Sequence, residues 1–217
     1  RLVGQARLYS PADRVVPTPN NDTAYSNSWV DMRREPMVLT IPKIQPERYF
    51  SFQIVDYFTN VVDYIGTRGH DIEGGAYMFV GPNWDGRKPD GIRRVIQMPG
   101  YLFFLLGRTR ILGAGDETAA QAIMDQYQLQ TLSDFESGGN SGASQEGPML
   151  VKWDDDILQD TRFFEILNQC MTDFQHPPMI DDALLANFAK INVGPGLNFK
   201  DVSPDLLGPI TEGAQKA

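Results

Sequence analysis

Asp22, Asp56 and Arg68 are the side chains of this sequence best suited to acid–base chemistry. Two carboxylates that converge serve as general acid and general base, and the planar fork of an arginine holds an anionic group beside them. Asn20, Asn21, Thr23 and Asn60 lie close to the two carboxylates in the chain and complete a polar cluster expected at the ends of strands. The same residue types also have a structural use. Asn20 to Thr23 would form a side-chain-capped turn entering the first strand, and Arg68 would pair with Asp56 at a sheet edge. Turn and pair roles are the commoner fate of such residues, so the cluster is expected to be structural and the catalytic residues are left unassigned.

Other chemistries lack their residue patterns. Zinc needs several His or Cys ligands, whereas His70, His176 and Cys170 follow no ligand spacing. Asp154, Asp155 and Asp156 are not followed by the glycine-containing loop of a calcium site, and capping of a helix is expected of them. No metal and no cofactor is therefore expected. The Gly-x-Ser-x-Gly elbow of a serine hydrolase is absent, and Ser141 sits in a stretch rich in Ser and Gly. His70 beside Asp71 offers a base and an orienting acid, but sequence neighbours seldom aim at one another. Gly69, Gly74 and Gly75 place that pair in an exposed hairpin loop. Glycine fingerprints for dinucleotides and for nucleotide phosphates are missing as well. Cys170, set among Phe164, Leu167 and Met171, reads as a buried helical thiol.

The 217 residues carry 41% hydrophobic and 22% charged side chains and a net charge of -9. Those proportions belong to a globular chain able to bury a sizeable core. The negative balance opposes attraction to phosphate backbones. Arg33 with Arg34, Arg87 with Lys88 and Arg93 with Arg94 form no basic stripe, so no nucleic-acid partner is expected. The longest apolar run, Tyr101 to Leu106, has the length of a strand and falls far short of the roughly 20 residues a transmembrane segment needs.

The elements that must position these residues change character along the chain. From Tyr25 to about Thr109 the pattern is strand. Phe50, Phe52 and Ile54 alternate with Ser51 and Gln53, while Tyr77 to Val80 and Leu102 to Leu106 read as strands buried between layers. Gly69 to Gly75 and Gly81 to Gly91 are breaks. After Gly115 helices are expected: from Asp116 through Tyr127, from Asp154 to the stop at Pro177 and Pro178, and from Asp181 to Gly194-Pro195-Gly196. The expected division is a β-sandwich domain over residues 1–115 and a helical subdomain over 116–217, with a Ser/Gly-rich loop at 137–147.

Ordered segments carry a family resemblance. They are Pro19-Asn20-Asn21-Asp22-Thr23-Ala24-Tyr25-Ser26 with Trp29 and Asp31, and then Tyr49-Phe50-Ser51-Phe52-Gln53. Asp56 with Thr59-Asn60, Tyr64-Ile65-Gly66-Thr67-Arg68, Tyr77 through Trp84 and Leu106-Gly107-Arg108-Thr109 follow, with Asp125-Gln126-Tyr127 and Gly194-Pro195-Gly196 last. Together they resemble the amino-terminal region of the family of unknown function numbered 1254 (DUF1254). The resemblance implies a mainly β fold with α, an immunoglobulin-like antiparallel β-sandwich followed by a small helical part, and an exported or organellar setting. Relatives often carry a second, jelly-roll-like (DUF1214-like) domain carboxy-terminally, which the present 217 residues do not include.

Trp29, Tyr57, Phe58 and Tyr64 are expected in the core, their alternative being a ligand groove. The functional expectation is a noncatalytic binding or assembly subunit whose partners are other proteins or copies of itself, acting through an exposed sheet, an edge strand or the helical tail. The alternative is a hydrolase-like acid–base enzyme built on Asp22, Asp56 and Arg68 and completed by a missing domain or a neighbouring subunit.

Overall fold

The computed structural model describes residues 2–14, 20–139, 156–157, 160–177 and 181–216. It divides into two compact units, Arg1–Ser144 and Gln145–Ala217. Ser141, the Ser/Gly-rich stretch beyond Gly139, Asp154, Asp155, Leu158 and Pro178 lie outside the described residues.

Among the described residues the first unit holds nine strands in two sheets. β1 (Val3–Gln5), β2 (Thr23–Asp31), β8 (Leu102–Arg110), β4 (Phe50–Asp56) and β5 (Val61–Gly66) form a five-stranded sheet in the order β1-β2-β8-β4-β5. β7 (Ile92–Gln97), β6 (Gly75–Val80), β3 (Met37–Ile41) and β9 (Gln128–Thr131) form a four-stranded sheet in the order β7-β6-β3-β9. The two sheets share one core. Ala24, Phe52 and Leu105 of the first belong to the same apolar cluster as Leu39, Tyr77 and Ile96 of the second, and Phe79 meets Phe103 at 4.8 Å between ring centroids. The chain is thus a mixed α and β fold with two sheets that are mostly antiparallel.

One pairing departs from the all-antiparallel expectation: β6 and β7 run parallel. The turn formers at residues 81–91 do not close a hairpin. They carry the chain back along the sheet, the crossover that parallel neighbours require. Residues 67–74 likewise form no hairpin, because β5 and β6 belong to different sheets. A 3-10 turn at Thr67–Gly69 starts this passage, and Gly74 at φ 68 brings the backbone so close to Ile41 that a Cβ would sit 2.3 Å from its carbonyl oxygen.

The division between units falls later than the expected boundary after Gly115. α1 (Glu117–Met124) is shorter than the expected helix because the chain turns at Asp125 and Gln126 and enters β9, whose residues 128–131 pair with β3. α2 (Leu132–Ser137) follows, its first turn capped by the Thr131 hydroxyl accepting from the Asp134 amide at 3.1 Å.

The second unit contains α3 (Arg162–Asp173), α4 (Asp182–Phe188) and α5 (Pro204–Lys216) around Met171, Val193, Phe199 and Val202. Phe164 stacks on Phe199 at 4.9 Å. Asn168, buried on α3, spends its whole amide on the following loop: Nδ2 donates to the carbonyls of Asn192 and Leu197, and Oδ1 accepts from the Gly194 amide at 2.8 Å. This is the use of Gly194-Pro195-Gly196. Cys170 on the same helix is buried, and α5, with Pro209 inside it, has no counterpart among the expected helices.

Candidate functional site

The polar cluster divides between the ends of the five-stranded sheet. At one end Asn20 forms the expected capped turn: its Oδ1 accepts from the Asp22 amide at 2.8 Å, and its Nδ2 donates to the Thr23 hydroxyl at 2.8 Å. Asn21 and Asp22 are exposed there. At the other end the buried Asp56 carboxylate accepts from the amide and the side chain of Asn60, closing the β4–β5 hairpin in which Thr59 adopts φ 67. Register sets the gap. Thr23 lies opposite Arg110 and Asp56 opposite Phe103, so Asp22 and Asp56 stand about 26 Å apart along the strands.

Arg68 follows β5 at its far end, exposed, so it does not pair with Asp56; β5 itself separates them. Three inter-strand spacings, about 14 Å, divide that edge from β2. Acid–base chemistry through Asp22, Asp56 and Arg68 would need these side chains together, and the sheet holds them apart. The His70–Asp71 pair is not a dyad either. Asp71 turns inward, its carboxylate accepting from the Tyr77 hydroxyl at 2.9 Å and the Gly66 amide at 3.0 Å, while His70 is exposed in a left-handed conformation. Burial, then the bond to Asp71, raises the Tyr77 phenol well above its ordinary range.

The charged pair that organises this unit is one the sequence does not announce. Arg48, 2% exposed, donates to both carboxylate oxygens of Asp116 at 2.6 and 2.8 Å and to the Arg110 carbonyl at 2.6 Å. Asp116 therefore heads α1 without capping it. The Arg48 bond, followed by the Leu112 amide, holds its carboxyl down at about 2. Nearby Tyr127 meets the Thr109 hydroxyl at 2.9 Å, and burial pushes its phenol up to about 12. These groups fasten a core.

A cleft of about 370 Å³ lies in the second unit, between α3 and the 196–200 segment. Several of its polar groups are engaged with one another. Lys200 pairs with Glu165 at 3.3 Å, and the Thr172 hydroxyl joins the Asn168 carbonyl to the Gly196 amide.

What stands open is the outer face of the five-stranded sheet. Residues directly opposite one another in paired strands share a face, and the register assembles three rows. The first is Trp29, Phe104, Val55 and Val61. The second is Asn27, Leu106, Gln53 and Tyr64, and the third is Tyr25, Arg108, Ser51 and Gly66. Successive rows are about 7 Å apart. Trp29 is 61% exposed, Tyr64 53% and Val61 45%, so Trp29 and Tyr64 are surface residues and not the core residues expected. Trp29 meets Phe104 at 5.1 Å, and the Arg108 guanidinium covers the Tyr25 ring at 5.5 Å. Strand β2 carried the readable signal. Ala24, Ser26 and Val30 form its buried side, so the alternating Tyr25, Asn27 and Trp29 must face out.

The outer face of the four-stranded sheet is built differently. Val38, Met78, Val80 and Ile92 are buried there beneath Leu132 and Phe135 of α2 and beneath Trp84 of the crossover.

With this geometry in place, the comparisons concern the first unit most directly. The model of the family described as protein of unknown function DUF1254 matches residues 1–131. The chain belongs to that family. A DUF1254 assignment supplies no activity, as the description says. Among solved structures, the VPA0106 protein from Vibrio parahaemolyticus is similar, with 25% identity and a TM-score of 0.72 over 92% of this chain and 48% of that one. The chain spans about half the length of that protein. No curated protein matches the sequence. Among the described residues no helix is long and apolar enough to cross a membrane, and no group of three or more His, Cys, Asp or Glu side chains is arranged to hold a metal ion.

Proposed function

We propose that the chain is a noncatalytic binding or assembly module whose working surface is the outer face of its five-stranded sheet. The observation that carries this reading is the difference between its two outer sheet faces. The four-stranded sheet buries Val38, Met78 and Val80 under α2, whereas the five-stranded sheet leaves Trp29, Tyr64 and Val61 exposed around Phe104 and Val55. Solvent exposure of contiguous large apolar groups is costly unless another surface covers them, and aromatic residues are the usual anchors of such contacts. The separation of Asp22, Asp56 and Arg68 favours this reading over an acid–base enzyme.

The immunoglobulin-like sandwich implied by the family resemblance suits the same role, and the core shared by the two sheets supports it. The division of labour between a sandwich that binds and a helical part that follows it is part of the proposal.

The test is the native mass of the complex recovered from the host, with its crosslinked members identified, for the parent protein and for the Trp29→Ser, Tyr64→Ser double variant. A heteromeric or homomeric complex that falls to the free chain in the double variant, at unchanged thermal stability, is the expected result. A complex of the same mass and composition in both would exclude this face as the binding surface.

A further inference from the structure

The open face is not uniform along its strands. At the Trp29 end Asp31 is neutralised locally by the Arg33 fork at 2.6 and 3.0 Å, and the buried Asp56 is hydrogen-bonded by Asn60. At the Tyr25 end Arg7 pairs with Asp13 beside Tyr9, whose ring packs against Tyr25, but three further arginines are not neutralised in this way. Arg108 lies in the third row, Arg110 is exposed one alternation further on the same face of β8, and exposed Arg68 follows Gly66 of that row by two residues. Among the described residues none of these three arginines forms an ion pair, and Asp22, beside the Thr23 that faces Arg110, forms none with it. An uncompensated cationic end on a chain of net charge -9 is a local reversal of the protein's own field.

We propose that this face takes an acidic polypeptide segment of a partner protein, with an aliphatic side chain against Trp29 and Phe104 and carboxylates at Arg108 and Arg110. The inference rests on the binding-module reading and adds the partner's chemistry and direction. The match is one of charge and of spacing. Rows about 7 Å apart equal the distance between alternate side chains of an extended peptide, and Trp29 and Tyr25, four residues apart on β2, set the apolar and cationic ends about 13 Å from each other. Arginine forks engage carboxylates through two parallel bonds, and the Tyr25 ring under Arg108 holds that fork in place without neutralising it.

The experiment titrates the intact protein into two fluorescently labelled peptides and reads anisotropy at low salt and at about 0.3 M salt. One peptide is Leu-Thr-Leu-Thr-Glu-Thr-Glu, blocked at both ends, and the other has Lys in place of both Glu. The acidic peptide is expected to bind at least about tenfold tighter than the basic one, with the margin shrinking in high salt. Arg108→Glu should cancel or reverse that preference, and Trp29→Ser should weaken both peptides, each variant keeping the parent circular dichroism spectrum.

Equal binding of the two peptides, lost in Trp29→Ser, would overturn the acidic-partner proposal while leaving the face as a binding surface. Binding of neither peptide overturns it too, and the native-mass measurement then decides the face by itself. A concentration-dependent dimer abolished by Trp29→Ser, without peptide binding, would overturn it by making a second copy of the chain the occupant.

Discussion

The two sheets of the first unit share one core yet treat their outer faces in opposite ways. On the four-stranded sheet the apolar residues Val38, Met78 and Val80 are covered by Leu132 and Phe135 of α2, an element that comes directly after the last strand. On the five-stranded sheet Trp29 and Tyr64 are left in solvent. The difference separates two reasons for an apolar strand. Folding requires the inward set, and on the binding-module reading the outward set of the five-stranded sheet is surplus to it. Strand β8 shows both in consecutive residues, with Phe103 and Leu105 fully buried and Phe104 and Leu106 on the open side.

The largest test of that separation sets one face of β8 against the other. Phe103→Ala removes the partner of Phe79 from the shared core and is expected to cost about 3–5 kcal/mol, whereas Phe104→Ala on the open face should cost about 1. Urea unfolding measures both, and equal losses would break the comparison.

Arg48→Ala comes next. It removes the guanidinium from the Asp116 carboxylate, which keeps only the Leu112 amide, and from the Arg110 carbonyl, at about 2–3 kcal/mol after allowance for the partial exposure of Asp116. The folded pKa of Asp116, about 2, lies below the ordinary carboxylate value near 3.9, so this stabilisation is complete above about pH 4 and disappears as pH falls toward 2. Asp116→Asn should accordingly flatten the stability curve between pH 4 and 2, which acid titration followed by circular dichroism reads directly.

A smaller loss is expected in the second unit. Asn168→Ala should cost about 2 kcal/mol by unmaking the amide bonds to Asn192, Gly194 and Leu197, and should speed hydrogen exchange at the Gly194 amide. The smallest effect belongs to the open face. Trp29→Ser is expected to change unfolding free energy by no more than about 0.5 kcal/mol while releasing the proposed partner. A loss of several kcal/mol there would mean that Trp29 serves the fold after all.

What was legible in the sequence followed from local rules. The Asn20–Thr23 turn, the alternation of Phe50, Phe52 and Ile54 and the buried Cys170 rest on residues a few positions apart. The family resemblance was likewise carried by short ordered segments. What escaped depends on distant partners. Asp116 reads in sequence only as the acidic start of a helix because its partner Arg48 lies 68 positions away, and β9 exists because β3 offers it an edge. The β6–β7 pair is parallel because residues 81–91 cross the sheet where their turn formers suggested a reversal. Arg68 and Asp56 seemed natural partners until β5 was laid out between them. The open face could be found in one strand, where Trp29 alternates against Ala24 and Val30. Its rows could not, because they need the register of β2, β8, β4 and β5 together.

That register also has a temporal consequence. Residues 23–31 pair with residues 102–110, so the centre of the five-stranded sheet closes a long loop before it gains any contact. Pairings of this separation form slowly, typically over about milliseconds to seconds, and a chain leaving the ribosome cannot begin this one until its second partner has emerged. The Trp29–Phe104 row is therefore absent from every amino-terminal fragment that ends before residue 104, and from any partly folded chain in which β2 and β8 have not paired. A partner that grips it binds the finished sheet alone, and its concentration would set the apparent stability of this unit by mass action.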